Sequence, residues 1–147
     1  VGLKAYLNDE SKYLPGFSVI GSMNLTTSPS LKPWAPAINV LFRKGIINNF
    51  TLTGNYQLTL DEHNGDLGSD YAVNLDVLFT DWLTSYIGVK GVKSFPVPDG
   101  PSLNQHYVEL GMLFWVADGF RLYPYYDIGL DDESENIFTL GVIYLFH

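Results

Sequence analysis

The 147-residue sequence predicts an all-β chain, a single-domain antiparallel up-and-down β-barrel of the kind that crosses a membrane. Three observations predict it. Hydrophobicity alternates with period two along nearly the whole chain, which sorts residues onto the two faces of a strand and would scatter them around a helix. One of the two faces is apolar, while the other is mostly Thr, Ser, Asn and Gln. The connections alternate between tight and long, as in a transmembrane barrel with short periplasmic turns and long outer loops.

Composition narrows the class. Charged residues make up 16% of the chain, against roughly 25% in soluble domains. Hydrophobic residues stand at an ordinary 46% and aromatics at 15%. With 8 basic against 16 acidic residues the formal charge is −8, and no basic stripe exists to neutralise phosphates, which argues against nucleic acid as a partner. The absence of cysteine excludes a disulfide framework, a thiolate zinc site and a thiol nucleophile. The longest nearly apolar stretch, Gly111 to Ala117, is far short of the roughly 20 residues of a spanning helix. The chain opens directly on the patterned segment Val1-Gly2-Leu3-Lys4-Ala5-Tyr6-Leu7, as expected of an exported protein whose signal segment has been removed.

Turn signals divide the chain into nine expected strands, over 1–8, 15–26, 36–44, 49–61, 70–80, 84–95, 105–117, 120–130 and 136–147. The second sorts Phe17, Val19, Gly21, Met23 and Leu25 from Ser18, Ile20, Ser22 and Asn24. The fourth is the clearest: Phe50, Leu52, Gly54, Tyr56, Leu58 and Leu60 oppose Thr51, Thr53, Asn55, Gln57 and Thr59. In the fifth, Tyr71, Val73, Leu75, Val77 and Phe79 face away from Ala72, Asn74, Asp76 and Leu78. The last sets Phe138, Leu140, Val142, Tyr144 and Phe146 against Ile137, Thr139, Gly141, Ile143 and Leu145. At about 9–12 residues these strands match the length a tilted strand needs to cross a bilayer. Four connections, 26–36, 61–70, 96–104 and 131–135, are polar and mostly long, whereas 45–48, 80–82 and 117–119 are tight. The first connection, 8–16, falls on the short side yet is long.

Composition also decides which face is which. A soluble lipocalin-like barrel, the alternative, carries a Lys/Glu-rich face in water. Here the polar face holds only isolated charges, as suits a confined hydrated lumen, and the other face is almost free of charge, as hydrocarbon demands. Aromatics such as Phe17, Phe42, Phe50, Phe79, Trp82, Tyr86 and Phe120 gather near strand ends, as interfacial girdles do.

Val1-Gly2-Leu3-Lys4, the strand start Pro15-Gly16-Phe17-Ser18-Val19-Ile20, Trp34-Ala35-Pro36 in a loop, Thr53-Gly54-Asn55-Tyr56 and Tyr126-Asp127-Ile128-Gly129-Leu130 give the chain its likeness. It resembles Gram-negative outer-membrane barrel proteins, and among them the transporter family of phenol-degradation (meta-pathway) clusters, in its C-terminal portion. That resemblance covers most of the chain. It implies a place in the bacterial outer membrane among lipid and lipopolysaccharide, insertion by the barrel-assembly machinery, and passage of small, rather hydrophobic or aromatic solutes. Outer-membrane chains usually end on an aromatic residue, whereas here His147 follows Phe146.

An antiparallel barrel closes only with an even number of strands, so nine leaves a parity problem. Either one of the nine segments is not a strand, or an upstream segment or further subunits complete a larger barrel, or 15–147 forms eight strands with an N-terminal extension. An open sheet in lipid would leave two rows of backbone groups without partners, at several kcal/mol each.

The expected lumen-lining residues are Lys4, Arg43, Asn55, Gln57, Asp76, Lys90, Glu109, Tyr125 and Asp127. They suit selection among polar or ionic solutes, or, in the opposing reading, they pair with one another and rigidify the wall. The acidic runs 61–66 and 131–135 suit calcium-bridged contact with lipopolysaccharide or plain solvated turns, and neither has EF-hand spacing. His63, His106 and His147 are scattered, HExxH and GxSxG do not occur, and His106 with Ser102 is the nearest His–Ser pair, so no enzyme activity is expected. Asn24-Leu25-Thr26 and Asn49-Phe50-Thr51 match the glycosylation pattern but sit at strand ends. The function expected is a porin-like channel for passive diffusion, with no catalytic residue, metal or cofactor. The alternatives are a structural or surface-recognition barrel with a filled lumen, and a soluble lipocalin-like binder.

Overall fold

A computed structural model describes residues 2–25, 34–60, 67–95, 104–132 and 134–144. It is all-β: nine strands lie in one antiparallel sheet in strict sequence order, and no helix occurs among the described residues. The strands are β1 (Gly2–Asn8), β2 (Gly16–Leu25), β3 (Trp34–Ile47), β4 (Phe50–Leu60), β5 (Leu67–Thr80), β6 (Leu83–Phe95), β7 (Asn104–Ala117), β8 (Phe120–Gly129) and β9 (Ile137–Tyr144).

Three expected boundaries move, the start and end of β3 and the start of β5, with β3 running on to Ile47, three residues past its expected end. Trp34-Ala35-Pro36, read as loop, begins β3, and β5 begins at Leu67, three residues before its expected start. Proline is disfavoured inside a sheet because it cannot donate to the ladder. Pro36 is accommodated because it pairs with Met23 on β2 while the β3–β4 pairing starts one residue later, at Ala37 and Thr59. At Pro36 the strand is therefore an edge on one side.

Residues 48–49, 81–82 and 118–119 form two-residue turns, and Gly119 adopts φ 72°, the left-handed conformation glycine tolerates. Beside each turn the register slips by one residue on the incoming strand, at 45/47, 78/80 and 115/117. Bulges of this kind increase local twist at a barrel rim. The long first connection is tied down: Glu10 Oε1 accepts a bond from the Gly45 amide at 2.8 Å, and Lys44 Nζ lies 3.5 Å from the same oxygen and also donates to the Ser11 carbonyl.

Following the register across the sheet separates two faces. One carries Val19, Val40, Leu52, Leu75, Ile87, Leu110, Tyr126 and Phe138; its only charged residues, Lys44 and Lys93, sit within three residues of strand ends. The other carries Lys4, Arg43, Asp70, Asp76, Lys90, Glu109, Arg121 and Asp127 among neutral polar groups. The polar face is concave, because a single cavity of about 670 Å³ is lined by Arg43 on β3, Asp76 on β5, Tyr86 on β6, Trp115 on β7, Tyr123 on β8 and Ile143 on β9.

No conventional core exists among the described residues. Ala35 and Tyr107 are the buried hydrophobic side chains, and no large side chain is fully buried. Apolar side chains stand in the open on the convex side, with Phe138 exposed by 68%, Leu140 by 62% and Ile87 by 50%. The 16.5 kDa chain exposes 10046 Å², where a soluble protein of that mass exposes about 7,600 Å². The sheet ends at β1 and β9, which do not pair with each other among the described residues.

Candidate functional site in the concave face

Strand alternation and register put all nine expected lining residues on the concave face, but they divide into separate groups. The most tightly knit lies on β6, β7 and β8. Lys90 Nζ is 2.8 Å from Glu109 Oε2 and 2.7 Å from Asp127 Oδ2. Glu109 and Asp127 are direct cross-strand partners, so two carboxylates would repel without the ammonium between them. The rings of Tyr125 and Tyr107 lie 5.0 and 5.7 Å from the same ammonium, close enough for cation–π attraction. The Asp127 side chain is only 3% exposed, and its Oδ1 has no protein donor. The triad thus carries a net charge of about −1 when all three groups are ionised.

Arg43 belongs to a second group. It lines the 670 Å³ cavity, and also a neighbouring one of about 650 Å³ that holds Lys4 and Asn55. Thr53 and Asn74 are shared by both cavities, so the line Arg43–Thr53–Asn74 is the boundary between them. Thr53 and Arg43 are cross-strand partners, as are Thr53 and Asn74. Thr53 Oγ1 donates to Asp76 Oδ2 at 3.0 Å. Lys4 stands 4.8 Å from the Tyr6 ring. Gln57 faces a third set of partners: it accepts from Asn39 Nδ2 at 3.2 Å and donates to Thr59 at 3.0 Å.

The two walls differ in chemistry. β3 to β5 present amides and hydroxyls around Arg43, Asp70 and Asp76, whereas β6 to β8 add Tyr86, Tyr107, Tyr123, Tyr125 and Trp115 around the triad. Tyr123 and Tyr125 are nearly parallel, with ring centroids 6.3 Å apart and planes 4° apart. Sequence reasoning did not single out Tyr86, Tyr107, Tyr123, Thr53, Asn39 or Asn74 as site residues. Tyr86 was expected among the strand-end aromatics, but it lies on the concave face, with its ring over its cross-strand partner Gly111 and its hydroxyl bonded to Glu109. The signal for the tyrosines was available, because they share strand parity with Lys90, Glu109 and Asp127.

Of the acidic connections, 61–66 lies outside the described residues, as do Glu133, His63, Ser102, Phe146 and His147. In the described part of the other, Asp131 has a structural task. Its Oδ2 accepts from the His106 amide at 2.8 Å and its Oδ1 from Ser134 at 2.6 Å, which closes the end of the β7–β8 ladder. His106 itself points to the convex side, where its Nδ1 is 3.1 Å from the Tyr71 hydroxyl across Gly91.

No family model matches the sequence, and no curated protein matches it.

Proposed function

We propose that this chain forms the wall of a bacterial outer-membrane β-barrel through which small molecules diffuse passively. The observation that carries the reading is the reversed polarity of the curled sheet. Its convex surface is apolar and charged only at the rims, and its concave surface gathers the ionic and amide groups around two cavities. That arrangement satisfies a bilayer outside and water inside; in water it would leave the apolar face unburied.

The resemblance to the meta-pathway transporters supports small hydrophobic or aromatic solutes, and the tyrosine wall of β6 to β8 suits them. Outer-membrane lipid and lipopolysaccharide would surround the barrel, the barrel-assembly machinery would insert it, and further strands would bridge β1 and β9. Neither a catalytic step nor a cofactor belongs to this reading. The closed triad of Lys90, Glu109 and Asp127 favours one second reading, a structural barrel whose lumen is filled by its own side chains.

Single-channel recording of the purified full-length protein in a planar bilayer separates the two. Discrete conductance steps are expected, with a lower preference for cations in Glu109→Gln, which removes one negative charge from the wall. A heat-resistant barrel that inserts without conducting would replace the channel with the filled-lumen reading.

A further inference from the structure

Eight pairings hold the sheet together, and among the described residues only one is interrupted away from a strand end. Between β7 and β8 the register is unbroken, with Gly111 facing Tyr125 and Phe114 facing Leu122, but the ladder pairing lapses between them, where Met112 faces Pro124 and Leu113 faces Tyr123. Pro124 supplies the cause, since it has no amide hydrogen to donate. On its other side Pro124 pairs normally with Leu140 of β9.

A crevice of about 310 Å³ opens on the convex face at this point, walled by Leu110, Met112, Pro124, Tyr126 and Phe138. It also reaches Gly111, Tyr86 and Tyr125, whose strand positions belong to the concave face. On that inner side the Tyr86 ring covers Gly111 so closely that a Cβ there would lie 2.2 Å from it. The ladder here lacks the bond that an amide at Pro124 would donate, and the Tyr86 ring lies behind it on the inner side.

We propose that the β7–β8 seam at Pro124 is a lateral portal through which an uncharged apolar or aromatic molecule passes between the barrel interior and the bilayer. The proposal rests on the channel reading above and adds the route. An apolar solute that reached the interior would gain by entering hydrocarbon instead of water, and this crevice gives it apolar walls on the lipid side and tyrosines on the other. Tyr86 is the movable element, because its ring leaves Gly111 by side-chain rotation once the hydroxyl gives up its bond to Glu109.

The chain has no native cysteine, so a staple can be placed cleanly. Leu113→Cys with Tyr123→Cys spans the seam at register partners and keeps Pro124 in place. Val108→Cys with Ile128→Cys is the control on the same strands, where pairing is intact and neither side chain lines either cavity or the crevice. The readouts are uptake of the apolar dye N-phenyl-1-naphthylamine by Gram-negative cells producing the full-length protein, and ion conductance of the purified protein in planar bilayers. Oxidising the seam pair is expected to cut dye uptake at least threefold relative to the reduced form of the same variant, reversibly with reductant, with the conductance of the oxidised form equal to that of the reduced form; oxidising the control pair changes neither. Pro124→Val, which restores the missing donor without a cross-link, should slow dye uptake in the same direction. Undiminished uptake with the seam staple formed, or an equal loss with the control staple, overturns the portal while leaving the channel intact. Absence of conductance in every variant overturns the channel reading, and the portal with it.

Discussion

Lys90 is the residue on which the concave face depends most. It neutralises two carboxylates that the register sets side by side, one of them almost wholly buried. Removing one partner of such a group costs about 3 kcal/mol, because the remaining charges stay where they cannot be solvated. Lys90→Met is therefore expected to lower unfolding stability by about that amount, and Lys90→Met with Glu109→Gln and Asp127→Asn should recover most of it, both measured by urea titration in detergent or lipid. Glycines act at the same scale. A Cβ on Gly88 would meet the Val73 carbonyl oxygen at 2.6 Å, a backbone atom that cannot swing aside. Gly88→Ala should cost about 1–3 kcal/mol in the same assay, the usual penalty of overpacking. The pairing of Lys90 with Glu109 was legible in the sequence, since both lie on adjacent strands with matching parity. Asp127 joining them was not legible as a contact, because it depends on a register two strands away that no local pattern states.

At the scale of the strand, period-two alternation did most of the work, and it did so because one face of the sheet is apolar and the other polar. β4 shows this in its purest form. Where the reading slipped, a proline, a bulge or, at Leu67-Gly68-Ser69, loop-like residues paired in the ladder were responsible. Pro36 suggested a loop, yet it sits one residue beyond the β3–β4 pairing, where no donor is asked of it on that side. The turn-side bulges shift pairing by one residue at positions where the sequence is simply apolar on both sides, as at Ile46-Ile47 and Leu78-Phe79. Pro124 lay inside an expected strand without disqualifying it, and its consequence, a gap opposite Met112, became visible only through the register. The faces predict opposite tolerance to charge. Val89, mid-strand on β6 and 46% exposed on the convex side, should reject arginine, with Val89→Arg losing about 2–4 kcal/mol of folding stability in a bilayer. Asn55→Arg, on the concave side, should fold in vesicles with a loss below about 1 kcal/mol, within the range of ordinary surface changes. In a water-soluble sheet the order would be reversed or absent.

For the whole molecule, curvature and closure are the two questions. Curvature puts residues of β3 and β9 around one cavity, and it makes the polar face the inner one. No sequence pattern stated this directly, because period two separates faces without saying which is concave; the scarcity of charge on one of them was the legible hint. Closure concerns β1 and β9, which run in the same direction, so that pairing them directly would make a parallel seam in an otherwise antiparallel sheet. Antiparallel closure needs an odd number of further strands between them. Cysteines at Ala5 and Val19, partners across β1–β2, should oxidise to a disulfide in the full-length membrane-inserted protein. In a barrel closed by further strands, cysteines at Ala5 and Leu140 should not, because such strands would hold their Cα atoms beyond the roughly 7 Å limit. Gel mobility with and without reductant reads both.

The central claim is that the convex face touches lipid and the concave face touches water. Its most direct test is a single-cysteine scan of β4 from Thr51 to Thr59, each site carrying an environment-sensitive fluorophore in the vesicle-inserted protein. Quenching by brominated lipid should alternate with period two, strong at Leu52, Tyr56 and Leu58 and weak at Thr51, Asn55 and Gln57, with iodide giving the opposite pattern. Uniform iodide quenching at all of these positions, with none by brominated lipid, would contradict it.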